Sequence, residues 1–322
     1  MTPTGIVSPQ QLTSSDTPET RGDAYRKQGQ LEQAIRCYLE AVTFPLFPAL
    51  CLKLARCYDR LDHHSEACRW ALSLVEAGDD YTSWLTGWTL FQRHAGQGGW
   101  SALRSTRVAM VSSYTTTQFC PLLQLAAARV GIHIDLYESH YGQYQQDIID
   151  LGSRLYAFAP DIVILAVHEG DLRLPEYSST PDQDIQAEVD RWTTLWKLVA
   201  ERAQARVVQH NFALPCEVPA GHLATRLPGS RYRMTQAVNM RLGDSAGLGV
   251  SLVDCERLSG LIGKRQWCDP RYWNLSKQAV ALEALPLLAR HTAAVIAADL
   301  GLSRKCLVLD LDNTLWGGVI AE

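Results

Sequence analysis

Residues 161–167 read DIVILAV, an aspartate followed by six apolar side chains, four of them β-branched. Strict alternation of apolar and polar residues would mark a strand with one wet face. An unbroken apolar run of this length marks a strand buried on both faces. Four further runs of similar character flank it: 107–113 (RVAMVSS), 132–137 (IHIDLY), 205–209 (ARVVQ) and 249–254 (GVSLVD). Segments with helical periodicity lie between them, at 119–130, 144–158, 184–202 and 232–242. Alternation of strand and helix predicts a parallel sheet covered by helices on both faces, an αβα sandwich over residues 104–300. Trp192 and Trp196, four residues apart on one predicted helix, read as a core or interface stripe. A last helix is expected over 275–300, with Gly301 as its C-cap.

Upstream of the sandwich the period changes. Gly22, Tyr25, Ala34, Tyr38 and Ala41 recur thirty-three residues later as Ala55, Tyr58, Ala67, Ala71 and Leu74, and a fainter third copy holds Trp84, Trp88 and Phe91. Small residues stand where two helices must approach, large ones where they interdigitate. A period of about 34 with this pattern resembles the tetratricopeptide repeat, so residues 21–100 are expected to form helical repeats. That implies a concave docking surface, with a plain helical bundle as the alternative. Residues 1–20, rich in Thr, Ser and Pro, read as a disordered leader, and 95–100 (AGQGGW) as a linker.

Composition narrows the partners. The 322 residues carry 30 Lys and Arg against 34 Asp and Glu, a formal net charge of −4, so no basic excess drives sequence-independent nucleic-acid binding. Nine scattered cysteines without a CxxC pair suit reduced thiols in a cytoplasmic protein and read mostly as buried packing. Neither a secretory leader nor a membrane-spanning run stands out.

Chemistry concentrates at the other end. Residues 308–315 (VLDLDNTL) form an apolar run ending in DxDxT. Two carboxylates at i and i+2, at the carboxyl end of a parallel strand, lie where open α/β sheets place their ligands. The pattern resembles motif I of the haloacid-dehalogenase (HAD) superfamily. The longer string 305–320 (KCLVLDLDNTLWGGVI) resembles the opening of the HAD domain in FkbH-like proteins, the HAD-IIIC group. Upstream, 113–117 (SYTTT), 141–144 (YGQY) and 155–161 (LYAFAPD) are similar to that family's N-terminal domain.

The resemblance implies an SGNH-like (flavodoxin-like) α/β domain followed, from residue 304 to 322, by the first strand of a Rossmann-like HAD domain. The chain then reads as a fragment of a longer protein, inactive by itself. The implied activity is loading of a glyceryl group from 1,3-bisphosphoglycerate onto an acyl carrier protein, with loss of phosphate, in polyketide-type biosynthesis. Asp310 is the implied nucleophile, Asp312 the general acid/base, and both the implied ligands of Mg²⁺. The alternative is a non-catalytic platform, repeats plus α/β domain, that holds a carrier protein or partner enzyme. Without the rest of its sheet, the strand at 305–312 is expected either to leave its catalytic arrangement or to be held by irregular contacts with the middle domain, and not to bind Mg²⁺ tightly. Cys306, at the start of that strand, is expected to pack.

The sandwich has its own candidates. Ser112, Ser113 and Thr115 follow the first strand, and His210 and Asn211 end the fourth. An SGNH hydrolase also needs a histidine three residues after a late aspartate; after Asp269 that position is Tyr272. A serine without a positioned base is a poor nucleophile. Ser113, Thr115 and Asn211 are therefore candidate substrate contacts in a degenerate hydrolase fold, and His168–Glu169 reads as pocket lining or a helix cap.

Overall fold

The computed structural model describes residues 17–303 together with Cys306, Val308 and Leu309. Five helices open it: α1 (Pro18–Lys27), α2 (Leu31–Glu40), α3 (Pro48–Arg60), α4 (His64–Ala77) and α5 (Tyr81–His94). Helix α1 starts inside the stretch expected as a leader. The Thr17 hydroxyl accepts the Thr20 N–H, and Pro18 sits in the first turn, where a missing backbone donor costs nothing. The repeat spacing acts through close approach. A Cβ on Gly22 would stand 2.5 Å from the Tyr38 ring, so glycine is what lets α2 lay that ring on α1. Tyr38 donates its hydroxyl to Asp23 at 2.7 Å, and Lys53 of α3 reaches back to Glu19 and Asp23. These contacts join the first helix pair to the second.

The third copy supplies only α5 before a wide helical turn, Ala95–Gly99. The stretch expected as a linker closes on the repeats only at its end: a Cβ on Gly99 would meet the His64 carbonyl oxygen at 2.6 Å, while Gly96, Gln97 and Gly98 are exposed. The reason is that the turn folds back on the start of α4.

The remainder is α/β. In order come β1 (Arg104–Ser112), α6 (Cys120–Arg129), β2 (Ile132–Glu138), α7 (Tyr144–Ile149), α8 (Arg154–Phe158) and β3 (Ile162–Ala166). There follow α9 (Pro181–Ala203), β4 (Arg206–His210), α10 (Arg231–Ser245) and β5 (Val250–Val253). The chain then runs through α11 (Cys255–Ile262), α12 (Lys264–Trp267), α13 (Pro270–Ser276) and α14 (Leu285–Asp299). All strand pairs are parallel, in the order β2-β1-β3-β4-β5.

Strand β3 is buried along its whole length, as 161–167 required. Its side chains alternate between two cores. Val108, Met110, Ile162 and Ile164 face the core that includes α6 and α14. Ala109, Val111, Val163 and Leu165 face the core built with α9 and α10, where Trp192 and Trp196 are buried. The helical repeats share the first of these cores: Tyr38, Trp84 and Phe91 belong to one cluster with Leu125 and Leu288. Arg290 of α14 lies over the Trp84 ring and pairs with Asp79.

Three sequence expectations change here. The helix expected over 144–158 splits into α7 and α8 around a turn in which the Asp150 carboxylate accepts the Gly152 N–H at 2.9 Å. The helix expected over 275–300 is two elements, because Lys277 turns left-handed (φ +56°) to end α13, and Pro286 begins α14. Cys306 is exposed rather than packed, alongside exposed Val308 and Leu309. Among the described residues, no helix is long and apolar enough to cross a membrane.

Candidate functional site

Strand order reverses between β1 and β3, and open α/β sheets bind ligands beyond the carboxyl ends of their strands at such a point. A cavity of about 580 Å³ opens at that end of the sheet. Tyr114 after β1, His168 and Glu169 after β3, His210 and Asn211 of the β4 end, and Cys255 at the start of α11 line it. Trp267 and Asp269 also border it.

His168 acts as both a cap and a wall. Its Nδ1 accepts the Gly170 N–H at 3.0 Å, which places the proton of the neutral ring on Nε2. The ring stacks on Trp273, 4.6 Å between centroids and 14° between planes. Burial holds its pKa below the ordinary value, against the pull of Glu169 and Asp171. Arg231 keeps this loop in place by donating to the Glu169 carbonyl at 2.9 Å and the Leu172 carbonyl at 3.2 Å.

His210 lies deeper. Its Nε2 meets the Thr292 hydroxyl at 3.1 Å, its ring stands edge-on to Phe119, and its Nδ1 has no hydrogen-bond partner. Burial pushes its pKa down to about 4, so the ring is neutral at physiological pH.

The three candidate substrate contacts are engaged internally. Ser113 Oγ accepts the His168 N–H at 2.9 Å, tying β1 to β3 at the reversal point. Thr115 donates its hydroxyl to the Ser276 carbonyl at 2.7 Å and its N–H to the Lys277 carbonyl at 2.9 Å. It borders a neighbouring cleft of about 210 Å³ rather than the main cavity. The Asn211 carboxamide donates to Asp254 at 2.9 Å and accepts the Glu256 N–H at 3.0 Å, bracing β4 against the start of α11. Of the three, Asn211 alone lines the main cavity.

Hydrolytic machinery is not assembled from these parts. Among the described residues, no serine or threonine hydroxyl is bonded to a histidine that a carboxylate in turn orients. Thr292 bonds His210, whose Nδ1 is unpartnered; Asp59 bonds His94, whose other nitrogen meets His64. Asp269 accepts the Arg271 N–H and forks with its guanidinium at 2.6 Å, which holds its carboxyl below the usual carboxylate range. Nor do three His, Cys, Asp or Glu side chains converge on a metal position among the described residues. Asp310 and Asp312, the implied catalytic and Mg²⁺-binding pair, lie outside the described residues.

The cysteines divide. Cys37, Cys51, Cys57, Cys68, Cys120 and Cys255 are buried, as packing residues should be. Cys216 is exposed and Cys268 half-buried, both on the cavity wall, and burial pushes the Cys268 thiol up to about 12. Their spacing, fifty-two residues apart in different loops, offered no signal that they meet.

A family model described as FkbH, N-terminal domain, matches residues 107–297. Among solved structures, the N-terminal part of the protein BF1531 from Bacteroides fragilis, containing a phosphatase domain complexed with Mg, is similar at 25% identity and a TM-score of 0.58. The match covers 67% of this chain and 58% of that one, so this chain spans little more than half the length of the structure it resembles. No curated protein matches it.

Proposed function

The chain belongs to the FkbH family, and on that premise we propose that it serves a HAD-type phosphatase and glyceryl transferase whose reactive carboxylates are Asp310 and Asp312. The observation that carries this reading is the DLDNTLWGG run at 310–318, which follows directly on a family N-terminal domain. Asp310 would attack phosphorus and break its bond to the substrate oxygen, Asp312 would protonate that oxygen as it leaves, and water would then release phosphate from Asp310. Mg²⁺, present in the phosphatase-domain neighbour, would be held by the same pair and offset the negative charge of the phosphate. The substrate class is an acyl phosphate such as 1,3-bisphosphoglycerate: the carrier-protein thiol of polyketide-type biosynthesis would displace phosphate at the acyl carbon, and Asp310 would take the phosphoryl group of the remaining phosphate ester.

In this reading the α/β domain binds and positions. The absence, among its described residues, of a carboxylate-oriented histidine beside a hydroxyl supports binding over hydrolysis, and the neutral His168 and His210 offer hydrogen bonds to an uncharged or anionic group. A second reading, a platform that only docks a carrier protein or partner enzyme, is favoured by the internal engagement of Ser113, Thr115 and Asn211.

Phosphate release from an acyl phosphate, measured on the full-length parent and its Asp310→Asn variant, separates the two. Loss of release in the variant supports the enzyme. Equal rates remove Asp310 from the chemistry and leave the platform reading.

A further inference from the structure

Helices α1, α3 and α5 are the first members of the three repeat copies, and they line a common groove of about 490 Å³. Four arginines border it: Arg26 from α1, Arg56 and Arg60 from α3, and Arg93 from α5. The one carboxylate on its wall, Asp59, is already committed, to Arg93 at 2.6 Å and to His94 at 2.9 Å. Arg26 lies beside Asp23 and bonds the Tyr38 hydroxyl. Lys53, on the same face of α3, is neutralised by Glu19 and Asp23.

Arg56 and Arg60 stand apart from this pattern. Both are exposed, and neither has an ion pair or side-chain hydrogen bond among the described residues. They sit at i and i+4, where like charges repel and cost helix stability. On a chain whose net charge is −4, two adjacent unpaired guanidiniums in a groove make a local positive site against the global trend.

We propose that this groove docks an acidic polypeptide segment of a partner protein, with Arg56 and Arg60 taking its carboxylates. Guanidiniums fork bidentately onto carboxylates, which suits short acidic sequences. Leu85 and Leu90 of α5 supply apolar wall between the charges, a surface a polypeptide can cover with its methylene groups. The inference deepens the docking half of the reading above and does not depend on Asp310.

The test is fluorescence anisotropy of the purified 322-residue chain with labelled deca-glutamate, against deca-lysine and a short oligothymidylate. Saturable binding of deca-glutamate is expected, with no binding of deca-lysine. The double variant Arg56→Glu/Arg60→Glu should weaken it by about tenfold or more, and about 0.5 M salt should weaken it further. Both residues are exposed, so the variant's helical signal and melting should match those of the unmodified chain. Arg36→Glu on α2, which does not line the groove, should bind as before. Unchanged affinity in the double variant, or no saturable binding of deca-glutamate, overturns the proposal. Groove-dependent binding of the oligonucleotide in preference to deca-glutamate overturns the partner class. Phosphate release by the parent is unaffected in every case, so failure here is distinguishable from failure of the enzyme reading.

Discussion

Replacing Asn211 with alanine distinguishes a ligand contact from a strut. The carboxamide makes two bonds, one to the Asp254 carboxylate at 2.9 Å and one from the Glu256 N–H at 3.0 Å, and the residue is only 9% exposed. A bond to a charged group contributes about 1.5–3 kcal/mol and a neutral one about 0.5–1.5, so the loss should total about 2–4.5 kcal/mol. The Glu256 N–H belongs to the first turn of α11, where no carbonyl within the helix can replace the lost acceptor. With an unfolding entropy of about 2.1 cal/mol/K per residue, a chain of this length loses about 1.5 °C per kcal/mol, which gives a drop in Tm of about 3–7 °C. Differential scanning calorimetry at neutral pH measures it. Asn211→Asp sharpens the test by setting a second carboxylate against Asp254. That variant should be at least as unstable at neutral pH and should recover as acidification protonates one of the pair. An Asn211→Ala protein that melts within about 1 °C of the unmodified chain would refute the strut.

Two other consequences follow from burial. The folded chain resists protonating His210, whose pKa is down to about 4, whereas the unfolded chain takes up that proton below about 6.5. Stability should therefore fall as pH drops from about 6.5 to about 4, by about 3 kcal/mol across the window, and NMR titration of the ring should show a midpoint near the lower limit. A midpoint above about 6 would contradict the burial argument. Gly99→Ala places a Cβ 2.6 Å from the His64 carbonyl oxygen, a backbone atom that has little room to yield, and should cost about 1–3 kcal/mol in chemical unfolding. Gly96→Ala, whose added Cβ would meet nothing within 4 Å, is the control and should be near neutral.

Much of the architecture was legible in the amino-acid sequence because burial on both faces leaves a local signature. An unbroken apolar run such as 162–167 has no polar position to offer water, so it must be a central strand. Gly22 and Tyr38 announce a close helix pair by size alone. The chemistry proposed for the DLDNTLWGG run at 310–318 rests on residue type and spacing, and these residues lie outside the described ones. Which polar groups are free was not legible, because it depends on partners distant along the chain. Thr115 is engaged by Ser276, Asn211 by Asp254, and His168 is stacked on Trp273, all through loops that meet only when the sheet forms. The same holds for the groove. Six cations and carboxylates of α1, α3 and α5 pair within α1 and across the helix interfaces, and only after those pairings are made do Arg56 and Arg60 stand out as the groove's unpaired charges among the described residues.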